Sequence, residues 1–191
     1  MKWSWKIARI AGIDVSVHAT FFLLLLWFAL VSWRQSQELV AVFTSLAFIV
    51  TLFACVVMHE FGHALTARRF GISTRSITLL PIGGVAALEK MPDDPKQEIL
   101  VALAGPAVNV VIAGVLWLYL SATMTPLTAE DVMAGRIPFW YQVMVVNIVL
   151  AVFNLLPAFP MDGGRVLRAA LALFMPHNEA TQKAARIGQS L

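Results

Sequence analysis

Long apolar segments separated by basic connections constrain this chain more than any other feature of its sequence. They are Ala19–Trp33, Leu39–Val57 with a polar continuation to about Arg69, Ile99–Met124, Phe139–Leu156 and a weaker one at Val166–Met175. A bilayer-crossing helix needs about 20 residues, so the first and last segments are short; the first can extend back through Val15, and the last is a short or re-entrant helix.

Composition indicates that lipid surrounds much of this surface. Of 191 residues, 59% are hydrophobic and only 13% are charged, which leaves too few polar residues to cover a water-soluble domain. We therefore predict an all-α integral membrane protein, a polytopic bundle of about five to six transmembrane or re-entrant helices.

Basic residues mark alternate connections. Lys2, Lys6 and Arg9 precede the first segment, and Arg165 and Arg168 follow the fourth. Between the second and third segments lie five more: Arg68, Arg69, Arg75, Lys90 and Lys96. The positive-inside rule then places the N-terminus in the cytoplasm. Because the net charge is only +3 and follows the connections, we expect a lipid partner and no nucleic acid.

Residues 73–89 (STRSITLLPIGGVAALE) differ from the apolar segments. They contain β-branched residues, a proline and the pair Gly83-Gly84, which favour short strands and turns. We predict a small β segment near the cytoplasmic face. No repeat or linker divides the chain, so residues 1–191 are expected to form one membrane-embedded domain. No small-residue cleavage site follows the first apolar run, which predicts a retained anchor.

The strongest chemical signal is the H-E-x-x-H motif formed by His59, Glu60 and His63. Residues four apart on a helix share a face, so both imidazoles can reach one metal ion, while the adjacent glutamate can take a proton from a water there. Zinc lowers the pKa of a bound water to about 7. The alternative is a polar helix end that only resembles the motif.

The depth of the motif favours the metal site. The nine steps from His59 to Arg68 span about 13 Å, which puts the motif below the cytoplasmic membrane surface. Ionisable side chains at such a depth are costly unless they bind something, and they are functional by default.

A catalytic zinc site usually has a third protein ligand and one open position. Cys55 lies one turn before His59, although a small buried hydrophobe is its commoner role. His18 and His177 are more typical of surface or interface histidines. Asp162 is the best candidate, because prolines and glycines around it break the helix next to a membrane segment. Its alternative role is to cap the following helix.

Two motifs together resemble the site-2 protease family of intramembrane zinc metalloproteases, in the bacterial and archaeal branch of the sporulation factor protease. They are HEFGH at the end of a membrane segment and, about a hundred residues later, NLLPAFPMDGGR. The stretches Leu80–Val85 and Ala104–Asn109 also match. The resemblance covers roughly Ile10 to Met175 and implies a multi-pass protein of a prokaryotic cytoplasmic membrane.

The resemblance also implies roles for single residues. His59, His63 and Asp162 would bind Zn²⁺, Glu60 would be the general base and acid, and Asn154 would hold the substrate or stabilise an oxyanion. The Gly83-Gly84 strand would offer an edge to an unwound substrate segment, and Asn109 would line the site or join two helices. The expected substrates are membrane proteins cut within or near a transmembrane segment.

Two other functions remain open. A non-catalytic membrane scaffold could use the same zinc for stability, with Cys55 as the donor that closes the site, although Glu60 argues against it. A prenyl-protein protease would need a downstream helical glutamate motif, which the later apolar segments lack. Chains of this type usually continue with another apolar helix and often CBS domains, so we expect the end at Leu191 to be a truncation.

Overall fold

The computed structural model describes residues 3–81, 83–90, 92–123 and 127–190, with the side chain of Leu88 left out. Lys2, Ile82, Met124 and Leu191, which the sequence predictions include, lie outside these ranges. The elements in chain order are β1 (Ser4–Ile10), β2 (Ile13–His18), α1 (Ala19–Ser36), α2 (Leu39–Arg69), β3 (Thr74–Leu80), β4 (Gly83–Leu88), α3 (Pro95–Thr123), α4 (Ala129–Met133), α5 (Phe139–Asn154), α6 (Asp162–Ala172) and α7 (His177–Gln189).

The backbone divides into two compact units, residues 1–91 and 92–191. The first contains a four-stranded sheet in the order β1-β2-β3-β4. β2 runs parallel to β3, whereas β1 and β4 pair antiparallel with their neighbours and form the two edges. The predicted β segment at residues 73–89 is thus confirmed as β3 and β4, and the prediction of a single domain stays a prediction.

The extension of the first membrane segment back through Val15 was wrong. Val15 lies in β2, and α1 begins at Ala19 behind the N-cap His18. The alternation of β2 explains the difference, because Ile13, Val15 and Val17 are buried while the residues between them are partly exposed. A two-residue turn at Ala11 and Gly12, both with positive φ, joins β2 to β1.

Two apolar clusters hold α2 against the sheet. One joins Val17 and Leu79 of the sheet to Ile49 and Phe53 of α2, together with Phe21 of α1. The other packs Ala64 of α2 against Ile13 of β2 and Ile77 of β3. Because the second cluster lies one residue beyond His63, the sheet fixes the part of α2 that carries the H-E-x-x-H motif.

The second unit is helical. In it α3 packs against α5 and α6, and α6 packs against α7. Asn109 of α3 donates a hydrogen bond of 2.8 Å to Asn147 of α5, and both side chains are fully buried. In a bilayer core there is no water to bond these amides, so a hydrogen bond between two helices satisfies them and joins the helices. Asn109 therefore has the helix-joining role that the sequence left open.

Three described helices are long and apolar enough to cross a membrane: Ala19–Ser36, Leu39–Arg69 and Pro95–Thr123. Phe139–Asn154 is apolar but shorter. The mostly helical membrane fold with a small sheet is thus confirmed in outline, and the count of five to six membrane helices stays a prediction. Large apolar side chains cover the outer faces of these helices, as a lipid environment requires, including Leu23, Trp27, Phe43, Val111 and Trp117.

Candidate metal centre

His59, Glu60 and His63 lie on α2, ten to six residues before the helix ends at Arg69. Both histidines are buried, and their Nε2 atoms lie 3.0 Å apart. Continuous helical backbone through the motif produces this geometry, because the i and i+4 side chains point from one face. The prediction that the two imidazoles lie together is therefore confirmed by their positions on α2.

The spacing of the two nitrogens fits a shared metal ion. Two nitrogens each about 2.0–2.1 Å from a tetrahedral zinc lie about 3.3 Å apart, close to the observed 3.0 Å. The same distance also allows a hydrogen bond between the rings in which one nitrogen keeps its proton. Neutral imidazole nitrogen is a preferred zinc donor, so the residues present suit the metal.

Glu60 lies on α2 against strand β4 of the sheet. A Cβ atom built at Gly84 would lie 2.8 Å from Glu60 Cγ and 3.0 Å from Val56 Cγ1. The missing side chain of Gly84 therefore creates the space that the Glu60 methylene groups occupy. Neither spacing nor motif indicates this contact, because it joins residues 24 positions apart.

Asp162 is the first residue of α6 and is buried. Met161 is the N-cap residue and no side-chain hydrogen bond caps the helix, so Asp162 does not have the capping role weighed from the sequence. Acidic side chains in the first turn of a helix interact favourably with the helix dipole, and Asp162 occupies this position. The guanidinium of Arg165 lies 3.9 Å from Asp162 Oδ1.

Close backbone packing holds the start of α6. A Cβ atom at Gly163 would lie 2.3 Å from the carbonyl oxygens of Leu155 and Leu156, and one at Gly164 would lie 2.8 Å from the carbonyl carbon of Ala158. The irregular segment of residues 155–161 thus wraps directly around the first turn of α6. Only glycine allows this approach, which accounts for the paired glycines after Asp162.

The structure groups His59, His63 and Asp162. Each offers one ligand atom, and these atoms all lie within 4.8 Å of one another. The group can hold a metal ion with two nitrogen donors and one carboxylate. Within the residues that the structure describes, Cys55 is not a member of this group, so the fourth protein ligand that a closed scaffold site needs is missing from it. The geometry does not favour the scaffold alternative.

The other residues named from the sequence lie elsewhere. Asn154 ends α5, and its Nδ2 donates 2.9 Å to the carbonyl of Leu150, which leaves the second amide hydrogen for another acceptor. His18 accepts a hydrogen bond from the Thr20 backbone at the start of α1, and His177 is exposed at the start of α7. Neither histidine belongs to the metal-binding group.

Sequence reasoning missed one buried pair near α6. Glu98 of α3 is fully buried and accepts a hydrogen bond of 2.9 Å from Arg168 Nε of α6. The two residues lie 70 positions apart, and Glu98 stands among charged residues that read as a solvated connection. An uncharged apolar run before Glu98 would have indicated that this residue is buried, but the residues before it are mostly charged or polar.

Comparison with known proteins gives consistent matches. The model of peptidase family M50 matches residues 47–129 and 120–191. A zinc metalloprotease of Methanocaldococcus jannaschii is 38% identical over 191 residues, which are 100% of this chain and 52% of that protein. The stage IV sporulation protein FB of Bacillus subtilis is 31% identical over 133 residues, which are 69% of this chain and 43% of that protein.

A solved structure agrees with these sequence matches. The site-2 protease from Methanocaldococcus jannaschii superposes with a TM-score of 0.69 at 34% identity, over 98% of this chain and 81% of that one. The chain spans about half the length of the sequence relatives, 52% and 43% for the two named. With the two histidines and the aspartate grouped and the family model covering most of the sequence, the chain belongs to peptidase family M50, the site-2 protease family.

Proposed function

We propose that this chain is the catalytic part of an intramembrane zinc metalloprotease that hydrolyses peptide bonds within or near the transmembrane segments of membrane proteins. The observation that carries the proposal is the buried group of His59, His63 and Asp162, with Glu60 adjacent to His59 on the helix. The names of the zinc metalloprotease and the site-2 protease that it resembles support the same reaction.

His59, His63 and Asp162 are the proposed ligands of Zn²⁺. Two nitrogens and one carboxylate form a donor set typical of catalytic rather than structural zinc, since they leave one position open. When bound, zinc supplies an activated water and polarises the peptide carbonyl. Burial of the three side chains keeps competing water away from the ligand atoms and strengthens their attraction for a cation.

Glu60 is the proposed general base and acid. It follows His59 on the same helix, so its carboxylate extends beside the ligands without being one of them. The contact of its methylene groups with Gly84 restricts its rotamers. A glutamate held in this way can accept a proton from the attacking water and deliver it to the leaving amine, a function typically worth about 10²–10⁴-fold in rate.

Asn154 is proposed to hold the substrate or stabilise the developing oxyanion. Its Nδ2 has one hydrogen engaged with Leu150 and a second available for a carbonyl oxygen. An amide donor aimed at such an oxygen is worth about 2.7–4 kcal/mol. The proposal predicts that Asn154→Ala lowers kcat without loss of metal.

The edge strand β4 is the proposed docking point for the substrate backbone. It is an outer strand of the sheet in the described residues, and its Gly84 lies beside Glu60. A segment that adds to β4 as a further strand would bring its peptide bonds to this glutamate. A transmembrane helix hides its peptide bonds in internal hydrogen bonds, so substrates with helix-destabilising residues are favoured.

The proposed location is a prokaryotic cytoplasmic membrane, crossed several times, with the N-terminus in the cytoplasm. Arg68 and Arg69 in the last turn of α2 support this orientation, because basic residues concentrate on the cytoplasmic side. The ligand-bearing end of α2 would then lie near the cytoplasmic face, and the released product would enter the cytoplasm. Five to six membrane helices are part of this proposal.

The decisive experiment uses the chain purified in detergent and a reporter that contains one transmembrane segment. Cleavage is compared between the wild type, Glu60→Gln and the matched variant Glu89→Gln, whose glutamate is exposed. We expect Glu60→Gln to retain zinc but lose cleavage by at least about 100-fold, and Glu89→Gln to cleave normally. Chelation should abolish cleavage and zinc should restore it. Equal cleavage by Glu60→Gln would refute the assigned chemistry.

A further inference from the structure

A buried ion pair links α3 to α6, the helix that begins with Asp162. Glu98 is fully buried in α3, and Arg168 of α6 donates to its Oε1 through Nε at 2.9 Å and also through Nη2. Within the described residues, Glu98 Oε2 is buried and has no hydrogen-bond partner. The charge of Glu98 therefore depends on Arg168 for compensation.

Arg168 also contacts the segment that precedes Asp162. Its guanidinium carbon lies 5.9 Å from the centre of the Phe159 ring, in a cation–π arrangement. One arginine thus joins three elements: α3 through Glu98, the irregular segment of residues 155–161 through Phe159, and α6 itself. A planar guanidinium with several fixed donors suits such a junction better than a flexible ammonium.

The glycine contacts make the start of α6 and the preceding segment one packed body. The carbonyls of Leu155 and Leu156 leave no room for a side chain at Gly163. On the other side, a Cβ at Gly188 of α7 would lie 2.8 Å from Ala158 Cα. Because this body has little internal freedom, holding it against α3 at one point restrains the backbone from which the Asp162 side chain extends.

Arg168 and the proposed ligand Asp162 lie on different faces of α6. Six residues at about 100° each put Arg168 roughly 120° around α6 from Asp162. Arg168 can face α3 while Asp162 points away from it. A buried ion pair contributes little net stability compared with apolar residues of the same size. We therefore expect the Glu98–Arg168 pair to act mainly by selecting one packing of α6 against α3.

We infer that Glu98 and Arg168 are positioning residues that orient Asp162 for metal binding. The inference rests on the proposed function, in which Asp162 is a ligand. Neither residue needs to touch metal or substrate. Partners outside the ligand shell typically change metal affinity by about 10–100-fold when they are removed, and we expect a loss in this range.

The test measures zinc affinity and melting temperature of the full chain in detergent, by competition with a coloured chelator and by tryptophan fluorescence. Glu98→Gln and Arg168→Met should weaken zinc binding by about 10–100-fold, and Arg168→Lys should recover part of the loss. The matched control is Arg136→Gln, which breaks exposed ion pairs with Asp131 and Glu130 and should bind zinc normally.

A double-mutant comparison separates positioning from a merely structural role. In an Asp162→Asn background, Glu98→Gln should cause no further loss of zinc affinity, because the ligand that it orients is already gone. Loss of melting temperature with wild-type zinc affinity would overturn the inference. So would an equal loss of zinc affinity in both backgrounds.

A second variant distinguishes a loss of zinc affinity caused by misfolding from one caused by misplacement of Asp162. Glu98→Leu combined with Arg168→Met removes both charges, and such apolar replacements commonly fold well. We expect this variant to fold and still bind zinc about 10-fold more weakly; wild-type affinity would overturn the inference. If Asp162→Asn binds zinc with wild-type affinity, the proposed ligand set is wrong. If Asp162→Asn loses zinc but the Glu98 and Arg168 variants bind it normally, the ligand set stands and only the positioning role is refuted.

Discussion

The contact between Gly84 and Glu60 permits a sharp test of how the proposed catalytic glutamate is held. Alanine at position 84 would place its Cβ 2.8 Å from Glu60 Cγ and 3.0 Å from Val56 Cγ1. Carbon atoms prefer separations of about 3.5–4.0 Å, so the overlap with Glu60 is about 0.7–1.2 Å. Val56 is β-branched and stiff, and Cγ of Glu60 is close to the backbone, so neither relieves the overlap by a rotation of its far end.

Glu60 or strand β4 must therefore move by about 1 Å, and misplacement on that scale can cost about 100-fold in rate. We expect Gly84→Ala to lower kcat for the transmembrane reporter by about 10–100-fold, and to lower the free energy of unfolding by about 1–3 kcal/mol. Zinc affinity should stay at the wild-type value, since Glu60 is not a proposed ligand.

Gly114 offers the matched control. It lies within α3, and a Cβ there would meet no atom within 4 Å. Gly114→Ala should keep full cleavage and leave stability equal or higher by up to about 1 kcal/mol, because alanine favours helix. Full cleavage by Gly84→Ala, with its fold intact, would refute the claim that close packing on β4 sets the position of Glu60.

Three further predictions concern the ligands and the fold. His63→Ala should weaken zinc binding by more than about 100-fold, beyond the usual effect of outer partners; unchanged affinity in a chelator competition would contradict its role. Gly163→Ala forces a Cβ to 2.3 Å from the Leu155 carbonyl oxygen and should lower both the melting temperature and zinc affinity, as calorimetry and chelator competition can measure. The hydrogen bond and charge of Lys6, 2.6 Å away, hold the pKa of Asp14 below its ordinary 3.8. The ionised pair stabilises the fold above about pH 4 and loses this effect as pH falls through the lowered pKa, so the melting-temperature difference between wild type and Asp14→Asn should shrink in acid; a constant difference would contradict it.

Local patterns predicted the elements whose cause is local. The helix Leu39–Arg69 follows from a long apolar run with arginines at its end, and the H-E-x-x-H geometry follows from helical spacing alone. Strands β3 and β4 follow from β-branched residues around a proline and two glycines. Asp162 was the best candidate for the third ligand because prolines and glycines around it break the helix beside a membrane segment, and the family resemblance pointed to the same residue; its spacing from His63 alone indicates no proximity.

Features with non-local causes were missed. β2 ends at His18 and α1 begins at Ala19 with no loop between them, so Val15 was taken for part of the membrane segment. Ile13–His18 pairs antiparallel with β1 and parallel with β3, and β3 lies some 60 residues later in the chain. Glu98 was missed for the same reason, since its burial depends on Arg168 of another helix. The sequence gives no local sign that β3 pairs with β2 or that Arg168 pairs with Glu98.

The proposed base and the aspartate ligand need different kinds of support, which explains why glycine packing occurs at both. An aspartate has a short side chain, so its carboxylate follows the backbone, and the tight contacts of Gly163 and Gly164 fix that backbone. A glutamate has one more rotatable bond and loses up to about 1.5–2 kcal/mol of rotamer freedom when it is held. The side chain of Glu60 therefore needs a packing contact that limits its rotamers. Gly84 allows the β4 backbone to lie close enough to provide this contact. Longer side chains at either place would loosen the site by pushing the backbone away, even if all proposed ligands remained.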